Sequence, residues 1–171
     1  MKKVFLVGYM GVGKTTLGKR IANAMSLPSY DLDEEIVKSE SKSIKELFEN
    51  GGEHHFRELE SRVLKDFCDQ KKSFVLSTGG GTAASQGNME AMKEAGTVVW
   101  LDIPVDMILS RLSKSEDRPL LKNVAPEDRE EFIKVHFAER QPQYQEAHLK
   151  FNAANVNSER LEKLVREIHS K

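Results

Sequence analysis

Val4-Phe5-Leu6-Val7 runs straight into Gly8-Tyr9-Met10-Gly11-Val12-Gly13-Lys14-Thr15. Four apolar residues without alternation read as a strand covered on both faces, and the next eight match G-x-x-x-x-G-K-[ST]. Leu17, Ile21 and Ala24 then recur at helical spacing, so the loop joins a strand to a helix. That context explains the residue types. A nucleoside triphosphate must be met by several backbone N–H groups at once, and side chains at Gly11 or Gly13 would block the approach. The helix beginning near Lys14 adds its positive end. Lys14 brings charge to the outer phosphates, and the Thr15 hydroxyl is the hard oxygen that Mg²⁺ accepts beside phosphate and water.

Outward from this loop, short apolar runs alternate with longer amphipathic segments, the pattern of β-α-β units on a parallel sheet. Strands are expected at 28–31, 74–76, 98–101 and, weakly, 149–151. Ser43 and Glu46 have capping-box spacing and open a helix expected to stop at Gly51-Gly52. Phe56, Leu59, Val63 and Phe67 form one stripe of a longer helix, and Leu161, Leu164, Val165 and Ile168 another. Pro104 opens a helix and Gly96 closes the one before it. The expectation is a single α/β domain over 1–171, with a core of 1–32, 62–112 and 127–171. Residues 33–61 put two helices where one would suffice, as an insertion would. The polar, weakly periodic stretch 113–126 has the length of a lid.

The chain has 171 residues, 26 Lys plus Arg against 27 Asp plus Glu, and a net charge of −1. No positive excess exists to displace counterions from a polymer of phosphates, so a nucleic-acid partner is not expected. One cysteine, Cys68, forms no intrachain disulfide and reads as a small apolar filler, which fits a reducing cytoplasm. No stretch approaches the roughly 20 apolar residues of a membrane span. The basic Met1-Lys2-Lys3 start leads into an apolar run that breaks at Gly8, so it is read as a first strand and not a targeting segment.

Three further features carry chemistry. Asp31-Leu32-Asp33 follows the second strand, and strand alternation puts both carboxylates on one side, where one could serve Mg²⁺ and the other an acceptor hydroxyl. Equally, Asp33 with Glu34 and Glu35 suits a helix N-terminus. Gly79-Gly80-Gly81 sits beyond the third strand, where three glycines suggest a ligand close to the main chain. Arg57 and Arg140 are guanidiniums able to hold a carboxylate bidentately; singly, each would pass for a surface ion-pair partner. His54-His55 cannot share one ligand face, because adjacent helical residues point about 100° apart. His136, His148 and His169 have no partner readable from spacing.

The ordered set Gly8 to Thr15, Asp31-x-Asp33, Gly52-Glu53-x-x-Phe56-Arg57-x-x-Glu60, Gly79-Gly80-Gly81, Arg118-Pro119-Leu120-Leu121 and Arg140-x-Pro142-x-Tyr144 resembles the shikimate kinases. The resemblance implies a three-layer α/β/α P-loop NTPase fold, similar to nucleoside-monophosphate kinases, with a five-stranded parallel sheet of order 2-3-1-4-5. It implies ATP-dependent phosphorylation of the 3-hydroxyl of shikimate by a cytoplasmic monomer. Gly11, Val12, Gly13, Lys14, Thr15 and Thr16 would bind ATP, with Thr15 and Asp31 around Mg²⁺. Asp33 would meet the acceptor hydroxyls, Arg57 and Arg140 the shikimate carboxylate, and Gly79, Gly80 and Gly81 its ring. Arg118 would reach the nucleotide phosphates from the lid. Lys14, Asp33 and Arg118 would be catalytic. Residues 152–157 lack the basic residue the family often sets against adenine, so adenine packing has no assignment. Another small-molecule kinase or a nucleotide-gated switch is the alternative; the switch is disfavoured because no Asn-Lys-x-Asp guanine-reading motif is present.

Overall fold

In the computed structural model, which describes residues 1–85, 87–113, 121 and 124–171, strand and helix alternate along the chain. Strands β1 (Lys3–Val7), β2 (Ser29–Asp31), β3 (Phe74–Ser77), β4 (Thr97–Asp102) and β5 (Leu149–Asn152) form one sheet of order 2-3-1-4-5. Every neighbouring pair is parallel. The expected order and class are therefore those observed. β1 and β3 are buried along their whole length, as unbroken apolar runs require. β5 lies at the edge with only Phe151 buried, which is why its sequence signal is poor.

Seven helices flank the sheet among the described residues: α1 (Lys14–Met25), α2 (Leu32–Glu40), α3 (Ile44–Asp69), α4 (Asn88–Ala95), α5 (Val105–Leu112), α6 (Arg129–Gln145) and α7 (Ser158–His169). α1 packs on β3 and on α7, and α4 on β4 and α3. β1 is central, so the loop leaving its C-terminal end emerges between β3 and β4, where open α/β sheets bind ligands. Trp100 of β4 is buried, its ring tilted against Tyr144 at 6.0 Å with the Lys150 ammonium 4.2 Å over it.

The two acidic residues of D-x-D depart from the strand reading. β2 ends at Asp31 and α2 begins at Leu32, so alternation along a strand does not relate Asp31 to Asp33. Asp31, and not Asp33, is the N-cap: its Oδ1 accepts from the Asp33 N–H at 3.0 Å. Asp33 stands in the first turn of α2 with Glu34 and Glu35.

α3 opens with the expected capping box, Ser43 and Glu46 each satisfying the other's backbone N–H. Its first part ends at Gly51-Gly52, as expected: the backbone leaves helical geometry at Gly52 (φ 73°, ψ −177°), and a second helical part continues across that kink to Asp69. Phe56, Leu59, Val63 and Phe67 are buried along its second part, and Phe48 from the first part stacks on Phe56 at 4.5 Å. That φ,ψ combination is essentially restricted to glycine. No atom lies within 4 Å of a Cβ placed at Gly52, so the restriction is purely conformational. Gly52→Ala is expected to lower stability by about 1–3 kcal/mol without steric clash, measured by urea denaturation.

Candidate active site

The phosphate loop comes first. Gly8, Gly11 and Gly13 all have positive φ, with Gly13 at the N-cap of α1 in the left-handed region. The buried Lys14 ammonium bonds the carbonyls of Gly8 at 2.7 Å and Tyr9 at 2.9 Å, folded back over the loop. Thr15 Oγ1 donates to Asp31 Oδ2 at 2.6 Å. One carboxylate thus caps α2 with one oxygen and meets the first turn of α1 with the other. Ser77 Oγ donates to the Lys14 carbonyl at 3.0 Å, fastening the same turn to the end of β3. A hydroxyl and a carboxylate side by side are hard oxygen donors suited to Mg²⁺, which needs few protein ligands when phosphates supply the rest.

Beside the loop lies a cavity of about 110 Å³. Tyr9 and Met10 form its loop side, Gly79, Gly80 and Gly81 one wall, and Ile44, Phe48 and Phe56 an apolar wall, while Asp33, Arg57, Glu60 and His136 supply the polar groups. Asp33, Arg57 and the triple glycine are therefore brought together. Arg57 Nη1 meets Glu60 Oε2 at 2.9 Å and Nη2 meets Glu53 Oε1 at 3.3 Å. Glu60 is fully buried, and its other oxygen accepts from Thr82 Oγ1 at 2.6 Å.

None of the three glycines has positive φ; each is closely approached by a neighbouring group. A Cβ at Gly79 would stand 2.8 Å from Glu60 Oε1, one at Gly80 would stand 3.0 Å from the Met10 nitrogen, and one at Gly81 would stand 2.5 Å from the Arg57 guanidinium. The space is taken by the site's own groups. Tyr144, wholly buried, donates from its hydroxyl to the Gly80 carbonyl at 2.6 Å and so fixes this turn against α6.

Burial, then the neighbouring Asp31 and Glu60 carboxylates, push the Asp33 carboxyl up to about 6, with Lys14 and Arg57 pulling the other way. A carboxylate so raised is a better proton acceptor than an ordinary one near neutral pH. Arg140 does not line the cavity. Its Nε donates at 3.0 Å to His136 Nε2, and His136 does line it.

A second cavity of about 350 Å³ opens on the other side of the loop, lined by Val12, Gly13, Thr16, Leu17, Arg20, Arg111, Ala153 and Val156. Arg111 Nη1 donates to the carbonyls of Gly11 at 3.0 Å and Val12 at 3.2 Å. Arg111 of α5 and Arg20 of α1 are the basic residues of this cavity, and Arg20 reaches the Val156 carbonyl. Arg118 and most of 113–126 lie outside the described residues.

Spacing left Tyr9 and Arg111 without a role, because their partners lie about a hundred residues away in sequence, whereas His136 had a signal, four residues before Arg140 on one helix. Glu60 had a signal, three residues beyond Arg57 on one helix. His148 also has a partner, its Nδ1 accepting from the Val98 N–H at 3.1 Å. His54 and His55 point to solvent near Glu58. Cys68 is half-buried, and burial raises its thiol to about 11.

A family model described as "Shikimate kinase" matches residues 10–170. A shikimate kinase of Persephonella marina is 45% identical over 134 residues, 78% of this chain and 81% of that protein. The crystal structure of shikimate kinase from Bacteroides thetaiotaomicron superposes with a TM-score of 0.85 at 36% identity, covering 99% of this chain and 97% of the other. That of shikimate kinase from Acinetobacter baumannii in complex with shikimate gives 0.83 at 33% identity, covering 99% and 92%.

The raised Asp33 carboxyl has a stability consequence. Folding disfavours its charged form, so its cost is fully present above about pH 6 and is relieved as pH falls toward its unfolded value of 3.8. Asp33→Asn is expected to stabilise the fold at pH 8 by up to about 3 kcal/mol. The gain should vanish by about pH 4, as thermal melts at the two pH values would show.

Proposed function

The chain belongs to the shikimate kinase family, and from that premise we propose that its two cavities hold the two substrates of one reaction, transfer of the γ-phosphoryl group of ATP to the 3-hydroxyl of shikimate. The observation that carries this reading is the composition of the smaller cavity. Phosphate-loop residues, a carboxylate with a raised pKa and a fixed guanidinium share one wall-to-wall space.

Phosphoryl transfer asks mainly for in-line positioning and charge neutralisation. Lys14 exchanges its loop carbonyls for phosphate oxygens, and the N–H groups of the loop and of the first turn of α1 face the same charge. Thr15 and Asp31 would hold Mg²⁺, which would supply charge neutralisation at the phosphates. Arg57 is held by Glu53 and Glu60 in a set orientation, and with Arg140 it takes the carboxylate of the acceptor. The apolar Ile44, Phe48 and Phe56 cover the carbon ring. Asp33 orients the acceptor hydroxyl and takes its proton as the bond to phosphorus forms. On the other side of the loop, the planar Arg111 guanidinium suits a stacked purine. A monomer in the cytoplasm fits the same reading. Among the described residues no helix is long and apolar enough to cross a membrane.

A coupled assay for ADP release tests the proposal: turnover should require shikimate and stay at background with ATP alone. Lys14→Ala and Asp33→Asn should lose at least about a hundredfold in kcat, while Arg140→Ala should chiefly raise the KM for shikimate. Turnover should fall as pH drops through about 6, because Asp33 must be unprotonated to accept. Gly81→Ala, which needs the space of the Arg57 guanidinium, should raise that KM about tenfold with the fold retained.

A further inference from the structure

We propose that His136 is the positioning residue of the second arginine: its neutral imidazole links the Tyr9 hydroxyl of the phosphate loop to Arg140 and orients that guanidinium toward the acceptor's carboxylate. The inference rests on the reading of Arg140 given above.

The hydrogen bonds decide the tautomer. Arg140 Nε–H donates to His136 Nε2 at 3.0 Å, and a guanidinium cannot accept. Nε2 must therefore present its lone pair, so the single proton of the neutral ring sits on Nδ1. That proton is donated to Tyr9 Oη, 2.7 Å away. The Tyr9 hydroxyl proton is then left for another acceptor, and Tyr9 and His136 both line the smaller cavity. A ligand oxygen there completes the chain.

The ring is held from other sides as well. Phe132 stacks on it at 5.4 Å with planes 13° apart, and Tyr9 meets it edge-on at 5.5 Å. With Nε engaged, Arg140 keeps both terminal nitrogens for a carboxylate, and a long flexible side chain is ordered before its ligand arrives. The charged groups around the imidazole are Arg140 and Glu139 from α6 and Arg57 and Glu53 from α3, with the Tyr9 hydroxyl from the loop. Burial and then Arg140 keep the ring's pKa below its ordinary value. Protonation would put a hydrogen on Nε2, remove the acceptor that Arg140 uses and set a second cation against it. Acid therefore releases Arg140.

Isothermal titration of shikimate into the full-length protein between pH 5 and 8 tests this, with His136→Phe and His136→Gln beside wild type. His136→Phe should weaken binding about three- to tenfold at pH 7.5 and leave kcat nearly unchanged. In His136→Gln an amide oxygen accepts from Arg140 without titrating, so affinity should largely return and its loss in acid should be shallower than in wild type. Asp33 titrates in the same range but is present in all three proteins, so the difference between profiles belongs to the ring. Nitrogen-15 NMR of the free protein at pH 8 should find His136 protonated on Nδ1. Wild-type affinity in His136→Phe, superposable profiles for wild type and His136→Gln, or a proton on Nε2 would each overturn the inference. Arg140→Ala separates the two levels. If it leaves affinity unchanged, the reading of Arg140 fails; if it weakens binding while the His136 variants do not, the positioning role alone fails.

Discussion

The buried Glu60 carboxylate holds the walls of the smaller cavity together. It has no access to solvent, and its two oxygens are divided between Arg57 of the same helix and Thr82 beyond the third strand. A buried charge survives only if paired and hydrogen-bonded, so the kinked helix must bring Arg57 to it and the glycine turn must press close. Gly79 has no side chain because Glu60 occupies that space, and Gly81 has none because Arg57 does. The helix α3 is thereby tied to the turn after β3 by electrostatics, and its two parts to each other by the Phe48–Phe56 stack.

The same neighbourhood makes Asp33 expensive. Two other carboxylates stand near it, and burial adds to their effect, so the fold carries a group it would hold more cheaply in neutral form. Sites of this kind trade stability for chemistry. Lys14 and Arg57 offset part of the cost.

How much of this can be read from residues alone depends on the range of the interaction. The phosphate loop, the capping box of Ser43 and Glu46 and the stripe from Phe56 to Phe67 are local patterns, and all three appear as expected. The sheet order came with the family resemblance, and the strands agree with it. D-x-D was misplaced on a strand because the same short polar stretch can extend or cap, and the bond from Asp31 Oδ1 to the Asp33 N–H decides for the cap. Arg111 carried no signal, since the carbonyls of Gly11 and Val12 meet it only after the sheet has formed; of the two bonds of His136, the one to Arg140 four residues on is local and the one to the Tyr9 hydroxyl is not. The three glycines do line the smaller cavity, and Gly79 and Gly81 also make room for the protein's own Glu60 and Arg57.

Tyr144 touches both the glycine turn, through the Gly80 carbonyl, and the chain's one tryptophan, through the tilted ring contact with Trp100. Indole emission depends on the polarity and the charges around the ring, and here the Lys150 ammonium sits directly over it. The fold thus contains a built-in optical probe, wired to the wall of the smaller cavity by one phenol, that reports on the turn's position without any label.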